Sequence, residues 1–182
     1  ELALGWCTFN GDHMSMYSVN AGVPKTLVGA VVQWLARRTK HPETRRALTD
    51  IADTPISPEL LPPSPDGAHT QQTERTLGPY ELHDFFLYRF MRFGDAPRRM
   101  LFLAEQAFGG RYTRVELLGV LRTFLRRFFA QQFKRNCMPD GPAIGSISLS
   151  PRGVWQMPSD ASSALWLRAV EEMEKATKEG EK

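Results

Sequence analysis

The chain has 182 residues, of which 42% are apolar, the size and composition of one globular domain or most of one. Its 23 basic and 20 acidic residues leave a net charge of +3, a mild excess that fits a small anionic ligand and does not by itself call for DNA or RNA. Cys7 and Cys137 lie far apart, with no second Cys or His at metal-ligand spacing, so a disulfide framework and a zinc site are not supported; the apolar runs are too short for a membrane span and nothing resembles a signal peptide, as expected of a cytoplasmic protein with reduced thiols.

In chain order, Glu1-Leu2-Ala3-Leu4-Gly5-Trp6 reads as the middle of a helix that runs into the polar turn Asn10-Gly11-Asp12-His13. Nothing ahead of Glu1 starts or caps that helix, so the chain is expected to be a piece of something larger. Pro24 stands where a first helical turn begins, and Leu27, Val28, Val31, Val32, Trp34 and Leu35 follow with helical spacing before the basic end Arg37-Arg38-Lys40. A short helix over 42–51 comes next. It gives way to a segment from Asp53 to Gly67 in which five prolines forbid regular structure, a long stiffened loop of the kind that is either functional or disordered.

Helices resume at Pro79. The pattern Tyr80, Leu82, Phe85, Phe86, Leu87, Phe90, Met91 predicts a heavily buried helix over 80–93, and a break at 94–97 precedes another helix over 98–108. Thr113-Arg114-Val115-Glu116 has the capping-box pattern, opening a helix to at least Phe129 whose inner face carries Leu117, Leu118, Leu121, Phe124, Leu125, Phe128 and Phe129. A basic, turn-rich segment from Phe133 to Pro142 ends that run, residues 144–149 form a candidate short strand, and the charged tail over 171–182 is expected to fray or be disordered.

Three polar islands sit at element ends, where binding residues concentrate: Glu1 with Trp6 to Asp12, the proline-stiffened loop from Asp53 to Glu74, and Lys134-Arg135 with Arg152 and Asp160. Carboxylates can hold Mg²⁺, Lys and Thr can hold phosphate oxygens, and aromatic faces can stack on a heterocycle. Each residue taken singly has an equally good structural account. Glu1 can be solvated, Trp6 and Phe9 can be core aromatics, and Lys134-Arg135 can be a cationic helix end that satisfies carbonyls.

The strings Glu1-Leu2-Ala3-Leu4-Gly5-Trp6-Cys7-Thr8-Phe9-Asn10-Gly11-Asp12 and Val19-Asn20-Ala21-Gly22-Val23-Pro24-Lys25-Thr26-Leu27 resemble the synthetase domain of glutamine-dependent NAD synthetases. So, in the same order, do Asp53-Thr54-Pro55-Ile56-Ser57-Pro58-Glu59-Leu60, Gly78-Pro79-Tyr80-Glu81-Leu82-His83-Asp84-Phe85, Phe133-Lys134-Arg135, and Met157-Pro158-Ser159-Asp160-Ala161. The resemblance implies a mainly α-helical fragment of an α/β domain, Rossmann-like and of the adenine nucleotide α-hydrolase type. Residues 1–170 would be its C-terminal part, with an active-site loop over 53–78.

The implied activity is that of a carbon–nitrogen ligase: ATP adenylates the carboxylate of nicotinic acid adenine dinucleotide (deamido-NAD), and ammonia freed from glutamine displaces AMP to give NAD. By position, Glu1 matches an acid at the dinucleotide or its Mg²⁺. Trp6, Cys7, Thr8, Phe9, Asp12 and Lys134 match dinucleotide contacts, and Lys25 and Thr54 match ATP-phosphate contacts. The family's Ser-Gly-Gly-x-Asp-Ser loop and the Glu-Lys-Cys machinery of its glutaminase domain are absent here, so the chain is expected to contribute to catalysis and to be inactive alone. The expected partners are deamido-NAD, ATP, ammonia from a glutaminase domain and further copies in a homo-oligomer, with neither membrane nor nucleic acid. Two other classes stay open. The apolar faces of 80–93 and 115–129 would serve a helical protein-interaction module, and Arg111, Arg114, Arg122, Arg126, Arg127, Lys134 and Arg135 would make the basic stripe of a nucleic-acid binder.

Overall fold

The computed structural model describes residues 2–11, 15–54 and 73–180, which form two compact units: Glu1–Gly22 with Leu82–Lys182, and Val23–Glu81. The described elements are helices and turns. The candidate strand over 144–149 is instead an irregular extended segment. Its place is set by backbone approach and burial rather than by a ladder: the Ile144 and Ile147 carbonyls lie close against Gly22, and Ser148 and Leu149 are buried.

In the unit Val23–Glu81, α1 (Lys25–Arg38) follows Pro24, whose fixed φ suits an N-cap, and α2 (Pro42–Asp53) starts with proline in its first turn. The connection between them is three residues long, 39–41, so the two helices pack back to back. Arg45 ties that corner by donating to the Thr39 carbonyl at 2.9 Å. α2 runs through Asp53, so the expected loop begins one residue later. Residues 73–77 at the other end form α3 (Thr73–Leu77), and what lies between falls outside the described residues. Glu74 accepts from the Tyr80 backbone N–H at 2.9 Å, fixing the approach to α4 (Tyr80–Phe93).

The second unit is built from most of α4 with α5 (Pro97–Ala107), α6 (Arg114–Ala130), α7 (Gln132–Asn136) and α8 (Ala164–Gly180). The expected capping box opens α6: Thr113 Oγ1 accepts from the Glu116 N–H at 3.3 Å, and Glu116 Oε2 accepts from the Thr113 N–H at 2.7 Å. Those bonds from Thr113 hold the Glu116 carboxyl below its ordinary range. The predicted inner face of α6 is the core. Leu121, Phe124, Leu125 and Phe128 are fully buried, joined by Leu82 and Phe86 of α4 and Met100 of α5. Their rings meet at angles, with Phe90 edge-on to Phe124, Phe128 and Phe129 at centroid distances of 5.2 to 6.1 Å, an arrangement that quadrupole electrostatics favours over face-to-face stacking.

The charged tail continues α8 to Gly180 rather than fraying from 171. Its apolar residues are few but well placed, since Val170 and Met173 are buried. Its charges also have partners: Glu174 receives Arg122 at 2.6 Å, Glu171 receives the same guanidinium at 3.4 Å, and Glu172 receives Arg98 at 2.8 Å. Asp95, buried after the turn at Gly94, is held by Arg89 at 2.5 Å and Arg99 at 3.1 Å, which fixes the corner between α4 and α5.

Candidate functional site

The turn over 2–7 is the place where the most polar chemistry converges. Residues 2–5 form a turn rather than the expected mid-helix stretch, because Gly5 adopts φ +58, the left-handed conformation that ends helices. Only glycine fits there, since an added Cβ would overlap the Gln131 side chain at the end of α6. The carbonyls of such a turn have no helical partner and need donors. Three cations from α6 and α7 supply them.

Arg127 Nε donates to the Leu4 carbonyl at 2.9 Å. Lys134 Nζ donates to the carbonyls of Gly5 at 2.8 Å and Cys7 at 2.7 Å. Arg135 donates to the Leu2 carbonyl at 3.1 Å and the Ala3 carbonyl at 2.8 Å. The guanidinium of Arg127 also stands 5.0 Å over the Trp6 ring, in cation–π range. Burial pushes the arginines down from their ordinary range, Arg135 to about 10, which leaves the guanidinium charged at neutral pH; Arg126 adds to the lowering at Arg127.

The residues that follow lie open. Thr8 and Phe9 are exposed, and Phe9 meets Phe133 at a centroid distance of 5.3 Å, so Phe133 joins the expected set although its sequence context gave it no special signal beyond its neighbour Lys134. The Trp6 indole N–H is buried and finds no acceptor among the described residues. A donor in that state lowers its free energy when an acceptor arrives. Among the described residues the arrangement therefore offers one donor without an acceptor, one ammonium with a third N–H to give, and the exposed rings of Phe9 and Phe133, a set suited to a polar heteroaromatic anion.

Lys25 and Thr54 belong to the other unit, at the start of α1 and just past the end of α2. The Thr54 hydroxyl donates to the Asp50 carbonyl at 2.7 Å and so caps α2. Along this hairpin runs an open groove of about 490 Å³ lined by Gln33, Arg37, Arg45, Thr49 and Asp53. Glu1 and Asp12 lie outside the described residues. Among the described residues no three His, Cys, Asp or Glu side chains gather where they could hold a metal ion. Among them, too, no helix is long and apolar enough to cross a membrane.

The basic stripe is largely committed to internal partners. Arg114 pairs with Glu105, Arg122 with Glu174 and Glu171, and Arg127, Lys134 and Arg135 serve the turn.

The chain is 38% identical to the glutamine-dependent NAD(+) synthetase of Mycobacterium leprae and 37% identical to that of Mycobacterium tuberculosis, in each case over 94% of its own length. This chain corresponds to one part of the glutamine-dependent NAD(+) synthetases. It spans 28% of the length of those two relatives. A more distant synthetase, from Synechocystis, is 31% identical over 56% of the chain. No protein-family model matches. The crystal structure of a glutamine-dependent NAD(+) synthetase from Cytophaga hutchinsonii superposes with a TM-score of 0.68 over 93% of this chain and 24% of that one, at 16% identity, a likeness of fold. The helical character of the described residues is thus what one part of a synthetase fold presents.

Proposed function

We propose that this chain supplies the dinucleotide-binding part of a cytoplasmic NAD synthetase, the C-terminal portion of its synthetase domain, and acts within a larger, oligomeric ligase. The observation that carries this reading is the clamped turn: five carbonyls from Leu2 to Cys7 held by Arg127, Lys134 and Arg135, with the Trp6 N–H finding no acceptor among the described residues. The reaction has two steps. The carboxylate oxygen of deamido-NAD attacks the α-phosphorus of ATP, and the bond to pyrophosphate breaks. Ammonia then attacks the activated carbonyl, loses a proton, and AMP leaves with the acyl–oxygen bonding pair, giving the carboxamide of NAD. Activation is needed because a free carboxylate is a poor electrophile at neutral pH.

In this reading Trp6, Cys7, Thr8, Phe9 and Asp12 line the dinucleotide, with Lys134 donating its third N–H to the ligand. A cation and an aromatic face together orient a planar anion better than either alone. Lys25 and Thr54 would meet phosphate oxygens of ATP. Glu1 would face the dinucleotide or Mg²⁺, which when bound supplies neutralising charge at the phosphates. In this reading the ammonia would come from glutamine through a glutaminase domain.

The test is a calorimetric titration of deamido-NAD into the chain extended through a Ser-Gly-Gly-x-Asp-Ser loop, followed by assay of NAD and AMP formation from ATP and ammonium. Binding and turnover that disappear in Lys134→Ala are expected. An extended protein that neither binds nor turns over overturns the reading.

A further inference from the structure

We infer that Arg135 is a positioning residue: its buried guanidinium fixes the turn that presents Trp6 to Phe9, so that dinucleotide affinity depends on a side chain the ligand does not touch. The inference rests on the reading of function above. Arg135 is 0% exposed, and its partners among the described residues are oxygens of carbonyls and an amide rather than a carboxylate. Nε donates to Gln132 Oε1 at 3.0 Å, one terminal nitrogen donates to the Leu2 and Ala3 carbonyls, and the other donates to the Phe128 carbonyl. The guanidinium plane also covers the Phe128 ring at 4.3 Å.

Burying a charge whose partners among the described residues are all neutral oxygens is costly, and a Leu or Met would fill the same volume without that cost. A cation is justified here only through what it holds. Carbonyls at the end of a helical turn carry partial negative charge and lack donors, and the rigid planar fork of arginine meets several of them at fixed angles. Lys134, its neighbour on α7, cannot do this alone. Its ammonium is a rotatable point charge, it already serves two carbonyls, and in the proposed site its last N–H goes to the ligand. The two adjacent cations therefore have separate roles, Arg135 holding the start of the turn in place and Lys134 joining its end to the substrate.

The experiment compares Arg135→Met with Arg135→Lys in the synthetase polypeptide that carries this chain, in a Cys137→Ser background, reading two quantities. The first is the reaction rate of the Cys7 thiol with an aromatic disulfide, which reports how firmly the turn is held and does not depend on activity. The second is the split between KM for deamido-NAD and kcat. Arg135→Met is expected to raise the Cys7 rate and the KM each on the order of tenfold, with kcat and the KM for ATP changed far less, and Arg135→Lys is expected to recover part of both. If Arg135→Met leaves the Cys7 rate and KM unchanged, the side chain is only filling space and the inference is overturned. Should Arg135→Met fail to fold, Arg135→Lys decides by the same two readings, a Cys7 rate equal to that of the unsubstituted protein counting against the inference. Absence of NAD formation by the unsubstituted protein overturns the reading of function instead, and the Cys7 rate still decides whether Arg135 holds the turn.

Discussion

α6 and α1 are both helices with an apolar stripe, yet they end in opposite environments. On α6, Leu121, Phe124, Leu125 and Phe128 have no exposed surface, whereas on α1 Leu27, Val31, Trp34 and Leu35 are 46%, 45%, 54% and 43% exposed. Ala36 is the residue of α1 that is buried. A helical apolar pattern predicts that a helix forms and which face seeks cover, but the cover itself comes from other elements. α6 finds it in α4, α5 and α8, while α2, the neighbour of α1, is too polar to provide it and has no buried residue of its own. The difference is one of partners rather than of propensity.

The sharpest way to test this contrast is to empty the α6 side. Phe128 touches the rings of Phe90, Phe124, Phe129 and Trp155 and underlies the guanidinium of Arg135. Phe128→Ala is expected to cost about 3–5 kcal/mol, read as a drop in denaturant midpoint, because the lost transfer energy is joined by a cavity the surrounding rings cannot close. A loss below about 1 kcal/mol would mean that this core is loosely packed and that the two helices differ less than their exposures suggest.

How much of this was legible beforehand differs from element to element. Periodicity placed α1, α2, α4, α5 and α6 nearly to the residue, since proline at the starts and the Thr113–Glu116 box are local signals that act through backbone geometry. The stretch at 144–149 misled because Ile144, Ile147 and Leu149 suggest a strand, yet strand formation needs a neighbouring ladder, which is not local information. Residues 171–180 misled in the other direction: high charge reads as disorder, but Arg98 and Arg122 wait on α5 and α6 to pair with it. At the site, the residue strings carried the resemblance and named Trp6 to Phe9 and Lys134. The reading of Lys134-Arg135 as a cationic helix end that satisfies carbonyls holds, but which carbonyls those are, and the part of Arg127, were not legible, because the acceptors are main-chain atoms of a distant turn with no signature in a sequence. Phe133 stands in one of those strings without a site role, and its pairing with Phe9 required a fold that brings α7 to the turn.

A smaller effect separates local from tertiary stabilisation within the buried unit. Thr113→Ala removes the cap of α6 while leaving its buried face untouched, and is expected to lower stability by about 1 kcal/mol in the same titration. An effect as large as that of Phe128→Ala would show that α6 depends on its own end rather than on its partners, and the contrast with α1 would lose its basis.

Next in size is the docking of α8. The carboxyl of Glu174 is held below its ordinary range chiefly by its hydrogen bonds from Arg122, with burial opposing. A carboxyl whose folded value is depressed stabilises the fold above its unfolded value of 4.5 and loses that contribution as pH falls through the folded value. Glu174→Gln is therefore expected to cost about 0.5 kcal/mol at neutral pH and to make no difference at strongly acid pH, where the unsubstituted pair has already been protonated apart. Equal costs at both pH values, measured by thermal melts, would show that the charge of Glu174 adds nothing to the docking of α8.

The smallest expected change is the one that bears most directly on α1. Val31→Ala trims a side chain that is already 45% exposed, so little burial is lost, and alanine is the better helix former by a few tenths of a kcal/mol. The two terms nearly cancel, and the melting temperature of this chain should move by no more than the equivalent of about 0.5 kcal/mol in either direction. The same substitution repeated in a longer synthetase polypeptide sharpens the result. A cost there of about 1 kcal/mol or more would mean that segments beyond this chain cover the α1 stripe, and that its exposure is a property of the part rather than of the whole. An unchanged value in both settings would leave the stripe open in the larger protein as well, where its apolar face would then be free for contact with another copy.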